Sequence, residues 1–406
     1  MNRRPRILYL SPCWPHAPTH GGQLRALHIG RALRQVADVR LVIVAADAPD
    51  EATRRLTREE FDLRGEIPAE PQRGNRWGRR LARALNPRVP HAHGLEARAG
   101  TGGLLAPLLA EADLVWFGRL RTASVFNRWQ WPGSVVDIDD LPSAQAEAEA
   151  FTAPGAGRLV NAIFQRWVAI RRQRLLPERF TVLAVTSEQD RAVLPDQAAV
   201  HVIPNGFERP SLEPHRRPAV PPRLGFIGLL EHEPNREGLD WFCSRCWPEI
   251  SSRLPGARLR VVGAGSDGAH RPTVPGVDGL GWVANPAMEM ATWSALIVPI
   301  RTGGGTRIKI LDGFSRMCPV VSTTFGARGY DLAHGRELLL ADTPRAFTQT
   351  CVQVALDPVG ATAMADRAWR RFLGEWTWDA ITPRVWGAVE DCLLRVGRVP
   401  ARTVPS

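Results

Sequence analysis

The sequence predicts an α/β protein of two units, each built on a parallel sheet, and three observations predict it. Buried-strand and helix patterns alternate from residue 7 onward, one proline-dense stretch interrupts them, and the same alternation then restarts. The length agrees, since 406 residues suits two or three domains of roughly 100–200 residues each. With 44% apolar and 23% charged residues, near the globular norm, each unit has the material for a core.

Taken in order, Ile7–Ser11 reads as a short buried strand, Pro12–Gly22 as a loop ending in Gly21-Gly22, and Gln23–Val36 as a helix with Leu24, Leu27, Ile29 and Leu33 at helical spacing. Val39–Ala45 is a second buried strand, which completes a βαβ unit and implies a parallel sheet. Further strands are expected at Leu114–Phe117, Ser134–Ile138, Thr181–Thr186 and His201–Pro204. Glu208–Arg223 holds Pro210, Pro214, Pro218, Pro221 and Pro222 with no apolar period, the composition of a linker. Beyond it, strands are expected at Leu224–Leu229, Arg258–Gly263, Ala295–Pro299, Pro319–Ser322 and near Leu338–Leu340, with helices at Asn235–Leu254 and Ile308–Arg316. The organisation is thus a first unit at 1–207, a linker at 208–223, a second unit at 224–375, a helix within 376–397 that crosses back to the first unit, and a disordered tail at 398–406. Two such units imply a cleft between them, where ligands tend to bind. The stretch Pro68–Gly103 carries no readable pattern.

The longest apolar runs, Leu41–Ala46 and Leu104–Ala110, are far short of the ~18 residues of a spanning helix, and Ile7–Leu10 is shorter than the ~7–15 residues of a signal-peptide core. The expectation is a cytoplasmic protein. The formal net charge is +11, and the residues before Asn205 hold 28 Arg against 21 Asp and Glu. Such a surface suits anionic partners, with a basic proteome as the bland alternative. Two basic amphipathic stretches, Trp77–Leu85 and Phe164–Arg174, suggest peripheral contact with an anionic membrane at its inner face, weighed against the commoner solvated helix face. Nucleic acid is not expected. Cys243 and Cys246 have CxxC spacing but no second pair of ligands, so they read as reduced residues of a packed helix face.

All but one of the 52 basic residues are arginine; the exception is Lys309, within Gly303-Gly-Gly-Thr-Arg-Ile-Lys-Ile-Leu-Asp312. Glycines let a backbone approach a ligand, a helix start offers N–H groups and a positive dipole end, and Arg307 and Lys309 add charge. Lysine brings a compact point charge where arginine brings a planar fork. The combination suits a diphosphate, against the plainer reading of a glycine turn before a solvated basic helix. Gly263, Gly265 and Gly268 match G-x-G-x-x-G after a strand, but Arg271-Pro-Thr-Val-Pro-Gly276 cannot continue as the required helix, so a tight turn is expected instead of a nicotinamide site. Asp137, Asp139 and Asp140 end a strand in acids; a metal role would need more than one short acidic motif, so they are read as polar groups of the cleft. His91 and His93 lack further ligands and read as a surface pair.

These segments together resemble the family 4 (group 1) retaining glycosyltransferases of the GT-B fold, in particular the bacterial sugar transferases linked to exopolysaccharide and exosortase systems. The resemblance rests on Ile7-Leu-Tyr-Leu-Ser with Gly21-Gly-Gln-Leu-Arg25, Val135–Ser143, Val202-Ile-Pro-Asn-Gly-Phe207, Gly225-Phe-Ile-Gly228 with Pro234-Asn235, Arg260–Gly265, Pro299–Asp312 and Pro319–Thr323. It implies an acceptor-binding first domain, a second domain for a nucleotide-sugar donor, and two Rossmann-like sheets facing across the cleft. Gly21, Gly22 and Arg25 would lie near the donor phosphate. Gly228, Asn235, Gly303, Gly304, Gly305, Thr306 and Asp312 would line the donor site, and Arg307 and Lys309 would hold the diphosphate as the catalytic cations. It implies no cofactor and no metal, and transfer with retention to a glycan or lipid-linked acceptor.

The sequence departs from the wider family at several of these points. The usual glutamates eight apart fall at Gly304 and Asp312, Arg328 stands where Glu is common, Arg236 and Glu237 occupy the place of a usual basic residue, and Trp116–Arg119 replaces a usual histidine. Two other classes are kept beside the transferase: a nucleotide-sugar epimerase on the same fold, and a non-catalytic protein that binds anions or membrane surfaces.

Overall fold

Two separate sheets, of eight and six strands, carry the chain in a computed structural model that describes residues 3–16, 21–45, 48–72, 78, 82, 84–90, 94–98, 100–152, 155–270 and 272–398. The chain divides into a first unit, residues 1–204 with 381–406, and a second unit, residues 205–380. His91, His93, most of the Trp77–Leu85 stretch and the tail after Arg398 lie outside the described residues.

In the first unit the strands are β1 (Arg6–Ser11), β2 (Asp38–Ala45), β3 (Asp62–Pro71), β4 (Leu95–Ala97), β5 (Leu114–Phe117), β6 (Trp131–Ile138), β7 (Phe180–Val185) and β8 (Val200–Val202). They lie in the order β4-β3-β2-β1-β5-β6-β7-β8, parallel throughout except for the β3/β4 pair. The central strands are continuous apolar runs because helices cover both faces of a parallel sheet. Tyr9, Leu10, Leu41, Val42, Trp116, Phe117, Val135 and Val136 are accordingly buried. The helix Gly21–Val36 turns Ala26, Ile29 and Leu33 onto this core, and the buried Tyr9 hydroxyl donates to the Ala26 carbonyl at 3.0 Å. β3 and β4 were not expected. β3 is a near-edge strand reading Asp-Leu-Arg-Gly-Glu-Ile-Pro-Ala-Glu-Pro; Leu63, Gly65, Ile67 and Ala69 alternate with more exposed neighbours, but only Ile67 and Ala69 are fully buried, so it offers no apolar run.

The second unit has β9 (Arg223–Ile227), β10 (Arg258–Val262), β11 (Val277–Gly279), β12 (Ala295–Val298), β13 (Val320–Ser322) and β14 (Leu339–Leu340), in the order β11-β10-β9-β12-β13-β14 and parallel throughout. Trp247, Trp293, Phe226, Phe242, Phe314, Phe347 and Phe372 fill its core. Gly225 exists to admit Trp293: a Cβ there would fall 2.0 Å from the indole. The expected helix Asn235–Leu254 is two helices, Glu233–Arg245 and Trp247–Arg253, since the chain breaks at Cys246 and restarts with a proline in its first turn. Cys243 and Cys246 are both buried thiols, and burial pushes them up to about 12 and about 11.

The proline-rich stretch 208–223 has partners in the second unit. The Arg217 and Ala219 N–H groups each donate at 2.8 Å to the carbonyls of Ala291 and Thr292, and Arg216 donates to the Trp293 carbonyl. The last helix, Trp378–Arg395, has its residues from Ile381 onward in the first unit, where the Trp386 indole donates to the Ala32 carbonyl at 3.0 Å and Asp391 meets the His201 ring at 3.1 Å.

Candidate functional site in the second unit

The second unit's sheet reverses its direction of travel between β9 and β12, because the chain goes from β9 to β10 and β11 on one side and then returns to β12, β13 and β14 on the other. The crevice at the carboxyl ends of such a pair is where open parallel sheets bind ligands. Gly228 follows β9, and the loop Pro299–Arg307 follows β12 and leads into the helix Ile308–Ser315.

The loops after β9 and β10 are laced together: Gly228 N–H donates to Val262 O at 2.9 Å and Leu230 N–H to Ala264 O at 3.0 Å. A Cβ on Gly263 would strike the Gly228 carbonyl oxygen at 2.1 Å, and Gly263 has φ of +131°. The G-x-G-x-x-G match therefore marks this close approach of two loops, and a run of turns follows it with no helix, as its sequence requires.

Lys309, in the first turn of the Ile308–Ser315 helix, is half-buried. Its ammonium donates to Asn235 Oδ1 at 2.7 Å and lies 4.3 Å from the centre of the Phe226 ring. Asn235 is held in turn, its Nδ2 donating to Leu229 O at 2.8 Å. Burial, then the charge of Arg307, lowers the Lys309 amine to about 7. Among the described residues no carboxylate forms an ion pair with Lys309. Gly228 is needed beside it, since a Cβ would lie 3.0 Å from Lys309 Nζ and 2.9 Å from Asn235 Nδ2.

Arg307 closes the glycine loop. Its guanidinium donates to Thr302 O at 3.2 Å and Gly303 O at 3.0 Å, and also to the carbonyls of Gly304 and Gly305. Gly303 and Gly305 have φ of +95° and +75°, a region glycine occupies without penalty. Where the resemblance implied a cation on the diphosphate, this arrangement puts Arg307 to work on the loop's own carbonyls. Thr306 accepts from Asn205 Nδ2 at 2.7 Å, and Gly329 leaves room for it, since a Cβ at Gly329 would meet the Thr306 methyl at 2.2 Å. Asp312, implied as a donor contact, is buried and accepts from Arg316 Nε at 2.5 Å across one turn; burial raises its carboxyl despite that arginine.

Two further residues join this site that sequence reasoning did not count in it. His232 stands close enough to feel Lys309 and Arg307, and burial first, then those charges, depresses it. Arg328 lies 4.8 Å from the Phe325 ring centre, and Arg307 5.4 Å from the same ring. The arginine that departs from the family pattern thus adds a second guanidinium beside the glycine loop. Its position was legible as an anomaly; its neighbour was not. Glu237 accepts from Thr302 Oγ1 at 2.6 Å, and Arg236 donates to Leu230 O at 3.2 Å, so both brace loops.

The remaining sequence candidates lie in the first unit. Gly21 begins the helix Gly21–Val36, and a Cβ on Gly22 would fall 2.2 Å from Arg119 Nη2, so the glycine makes room for that guanidinium. Arg119 also donates to Asp139 Oδ2 at 3.2 Å. Arg25 is buried: Nε and Nη2 donate to the two Asp137 oxygens at 2.9 and 2.7 Å, and Nη1 and Nη2 to the Pro204 and Ile203 carbonyls at 3.0 and 2.9 Å. Arg25, implied near the donor phosphate, thus makes an internal fork that engages both oxygens of Asp137.

Comparison with known proteins agrees with this geometry. Residues 221–357 match the family model described as glycosyl transferases group 1. An uncharacterised 44.6 kDa protein in the cps region of Klebsiella pneumoniae is 25% identical over 153 residues, which is 35% of this chain and 39% of that protein. Among solved structures, Anabaena Alr3699/HepE in complex with UDP and glucose is similar at TM-score 0.59 and 15% identity, covering 95% of this chain and 99% of that one. Sucrose-phosphate synthase from Thermosynechococcus elongatus is similar at 0.60 and 14%, covering 95% and 98%. WaaG, a glycosyltransferase involved in lipopolysaccharide biosynthesis, is similar at 0.58 and 13%, also covering 95% and 98%. At these identities the structural likeness establishes the fold, which is GT-B. The stretch matched by the glycosyl transferases group 1 model, residues 221–357, is the one that builds the Lys309 crevice.

Proposed function

We propose that this chain transfers a glycosyl group from a nucleoside-diphosphate sugar to a hydroxyl of a glycan or lipid-linked acceptor, with retention, as a family 4 enzyme. The observation that carries this reading is Lys309, a desolvated amine held by an amide and an aromatic face, with no carboxylate ion pair among the described residues, at the switch point of a parallel sheet. A cation already neutralised by a carboxylate has little left to offer an anion; this one has no such partner among the described residues. As the bond from the sugar to the diphosphate lengthens, negative charge grows on the leaving phosphate oxygen. A fixed cation there stabilises the transition state more than the bound donor. An amine near pH 7 gains its proton as the phosphate arrives, because a neighbouring anion favours the charged form. In this reading Arg307 keeps the glycine loop in shape, and its charge joins that of Lys309.

HepE is solved with UDP and glucose, which makes a uridine donor the first to try. The cps-region relative supports a place in cell-surface polysaccharide synthesis. No resident metal enters this reading, so chelation with EDTA should leave the rate unchanged. The test is release of nucleoside diphosphate and product analysis with labelled donor. Lys309→Ala is expected to lower turnover by about 100-fold or more, the usual cost of removing one preorganised contact to a developing oxyanion. Unchanged turnover would remove Lys309 from the mechanism, and a free epimerised nucleotide-sugar as product would replace transfer by epimerisation.

A further inference from the structure

The chain leaves the first unit after Pro204 and enters the second at Asn205. Each end of this passage is fastened within its own unit. On the first side, Ile203 N–H donates to Val185 O at 2.8 Å, and the Ile203 and Pro204 carbonyls accept from the buried Arg25 at 2.9 and 3.0 Å. The ring of Pro204 fixes its φ, and a residue before proline is restricted as well, so the chain is stiff up to the carbonyl that Arg25 holds. On the second side, Phe207 N–H donates to Trp376 O at 2.9 Å, beside a bridge from Phe207 to Thr377. Between these fastenings stand Asn205 and Gly206.

Asn205 is only 5% exposed, and its Nδ2 donates to Thr306 Oγ1 at 2.7 Å across 101 positions. Asparagine is mostly a surface residue, and a buried amide is costly unless its hydrogen bonds are made. This one spends a bond on the residue just before Arg307 and three before Lys309. Thr306 is held on both branches of its side chain, the hydroxyl by Asn205 and the methyl in the space that Gly329 leaves.

The glycine loop needs such outside support. Gly303 and Gly305 stand at positive φ, and glycine backbone has little stiffness of its own. Arg307 ties the loop only to itself, through the carbonyls of residues 302–305. Glu237 holds the start of the loop through Thr302, and Asn205 holds its end, next to the helix that carries Lys309. A fixed cation favours a developing anion only while its position is kept, and a misplacement on the order of 1 Å costs about 100-fold in rate.

We infer that Asn205 is a positioning residue: it fixes the end of the glycine loop, and through it Lys309, to the chain that connects the two units. The kinetic consequence rests on the reading in which Lys309 stabilises the leaving diphosphate; the fixing of the loop does not.

The test has two arms on the full chain. In amide hydrogen exchange without ligand, Asn205→Ala and Thr306→Val should each speed exchange across residues 303–309 by about tenfold and leave β9 and β10 as in wild type. In nucleoside diphosphate release from UDP-glucose, each variant should lower kcat by about tenfold with donor KM within about twofold, since the lost contact serves the transition state more than the bound donor. The Asn205→Ala/Thr306→Val double variant should fall no further than either single one, the sign of one shared interaction. Thr306→Ser, which keeps the hydroxyl, should recover most of the rate that Thr306→Val loses. Unchanged loop exchange in both single variants overturns the inference. So do losses that multiply to about 100-fold in the double variant, or a Thr306→Ser enzyme as slow as Thr306→Val. A wild type that turns over no UDP-glucose counts against that donor, while the exchange arm, which needs no substrate, still sustains or overturns the fixing of the loop.

Discussion

Each unit places a basic residue shortly after a run of glycines and in the first turns of a helix, and the two residues meet opposite surroundings. In the first unit Arg25 is buried against both oxygens of Asp137 and two backbone carbonyls. In the second, Lys309 is half-buried against the amide of Asn235 and the ring of Phe226. The first charge is neutralised and serves the fold. The second is left with a desolvation cost that an incoming anion would offset. Burial alone therefore does not tell a paired cation from an unpaired one; the partner does.

Removing each charge should break the comparison most sharply. Arg25→Met leaves Asp137 as a buried, unpaired carboxylate, and breaking such a pair costs about 3–5 kcal/mol. For a unit of this size that corresponds to a fall in thermal midpoint on the order of 10 °C. Lys309→Met should hold or raise the midpoint, since it removes a cation whose folded-state pKa of about 7 lies below its ordinary 10.5. The sign follows from linkage. Between pH 7 and 10.5 the folded chain holds fewer protons at Lys309 than the unfolded chain, so stability rises with pH across that window. Below pH 7 the cost is complete, and there the advantage of Lys309→Met should be widest. Equal losses of midpoint in the two variants would erase the distinction.

The glycines offer a smaller version of the same contrast. Gly228→Ala would push a methyl group to 3.0 Å from Lys309 Nζ and 2.9 Å from Asn235 Nδ2, at a φ of +156°. It should weaken donor binding about tenfold, or ~1.4 kcal/mol, in a calorimetric titration. Gly22→Ala would meet only the end of the Arg119 side chain, which can swing away, so its effect on stability and on binding should be slight.

Smallest in size, but direct, is the proton count. Binding a nucleoside-diphosphate sugar above pH 7 should draw a proton onto Lys309, seen as a buffer-dependent enthalpy of binding, and affinity should decline as pH rises through and beyond 7. Lys309→Arg, always charged, should bind with no such uptake. A proton uptake that persists in Lys309→Arg would move its origin to another group, with the depressed His232 the first to examine.

Much of this molecule is legible in the order of its amino acids. The strands β1, β2, β5 and β12 carry continuous apolar runs, a signal that depends only on burial from both faces. β3, β4 and β11 are not legible, because strands near a sheet edge keep a solvated side and need no apolar run. In the candidate site, the oddity of one lysine among arginines is a property of the sequence. That Arg307 turns back on its own loop, that Asp312 pairs with Arg316, and that Arg328 shares the Phe325 ring with Arg307 are properties of packing.

The sequence by itself determined an α/β chain with two largely parallel sheets and a glycine-rich basic segment opening a helix in the second, since local patterning carries each of these. Only the tertiary structure decided which cations are satisfied. Asp137 lies 112 positions from Arg25, and Asn235 lies 74 positions from Lys309. Whether a carboxylate or an amide meets a buried cation depends on which strand ends the sheet order brings side by side, and no local pattern encodes that.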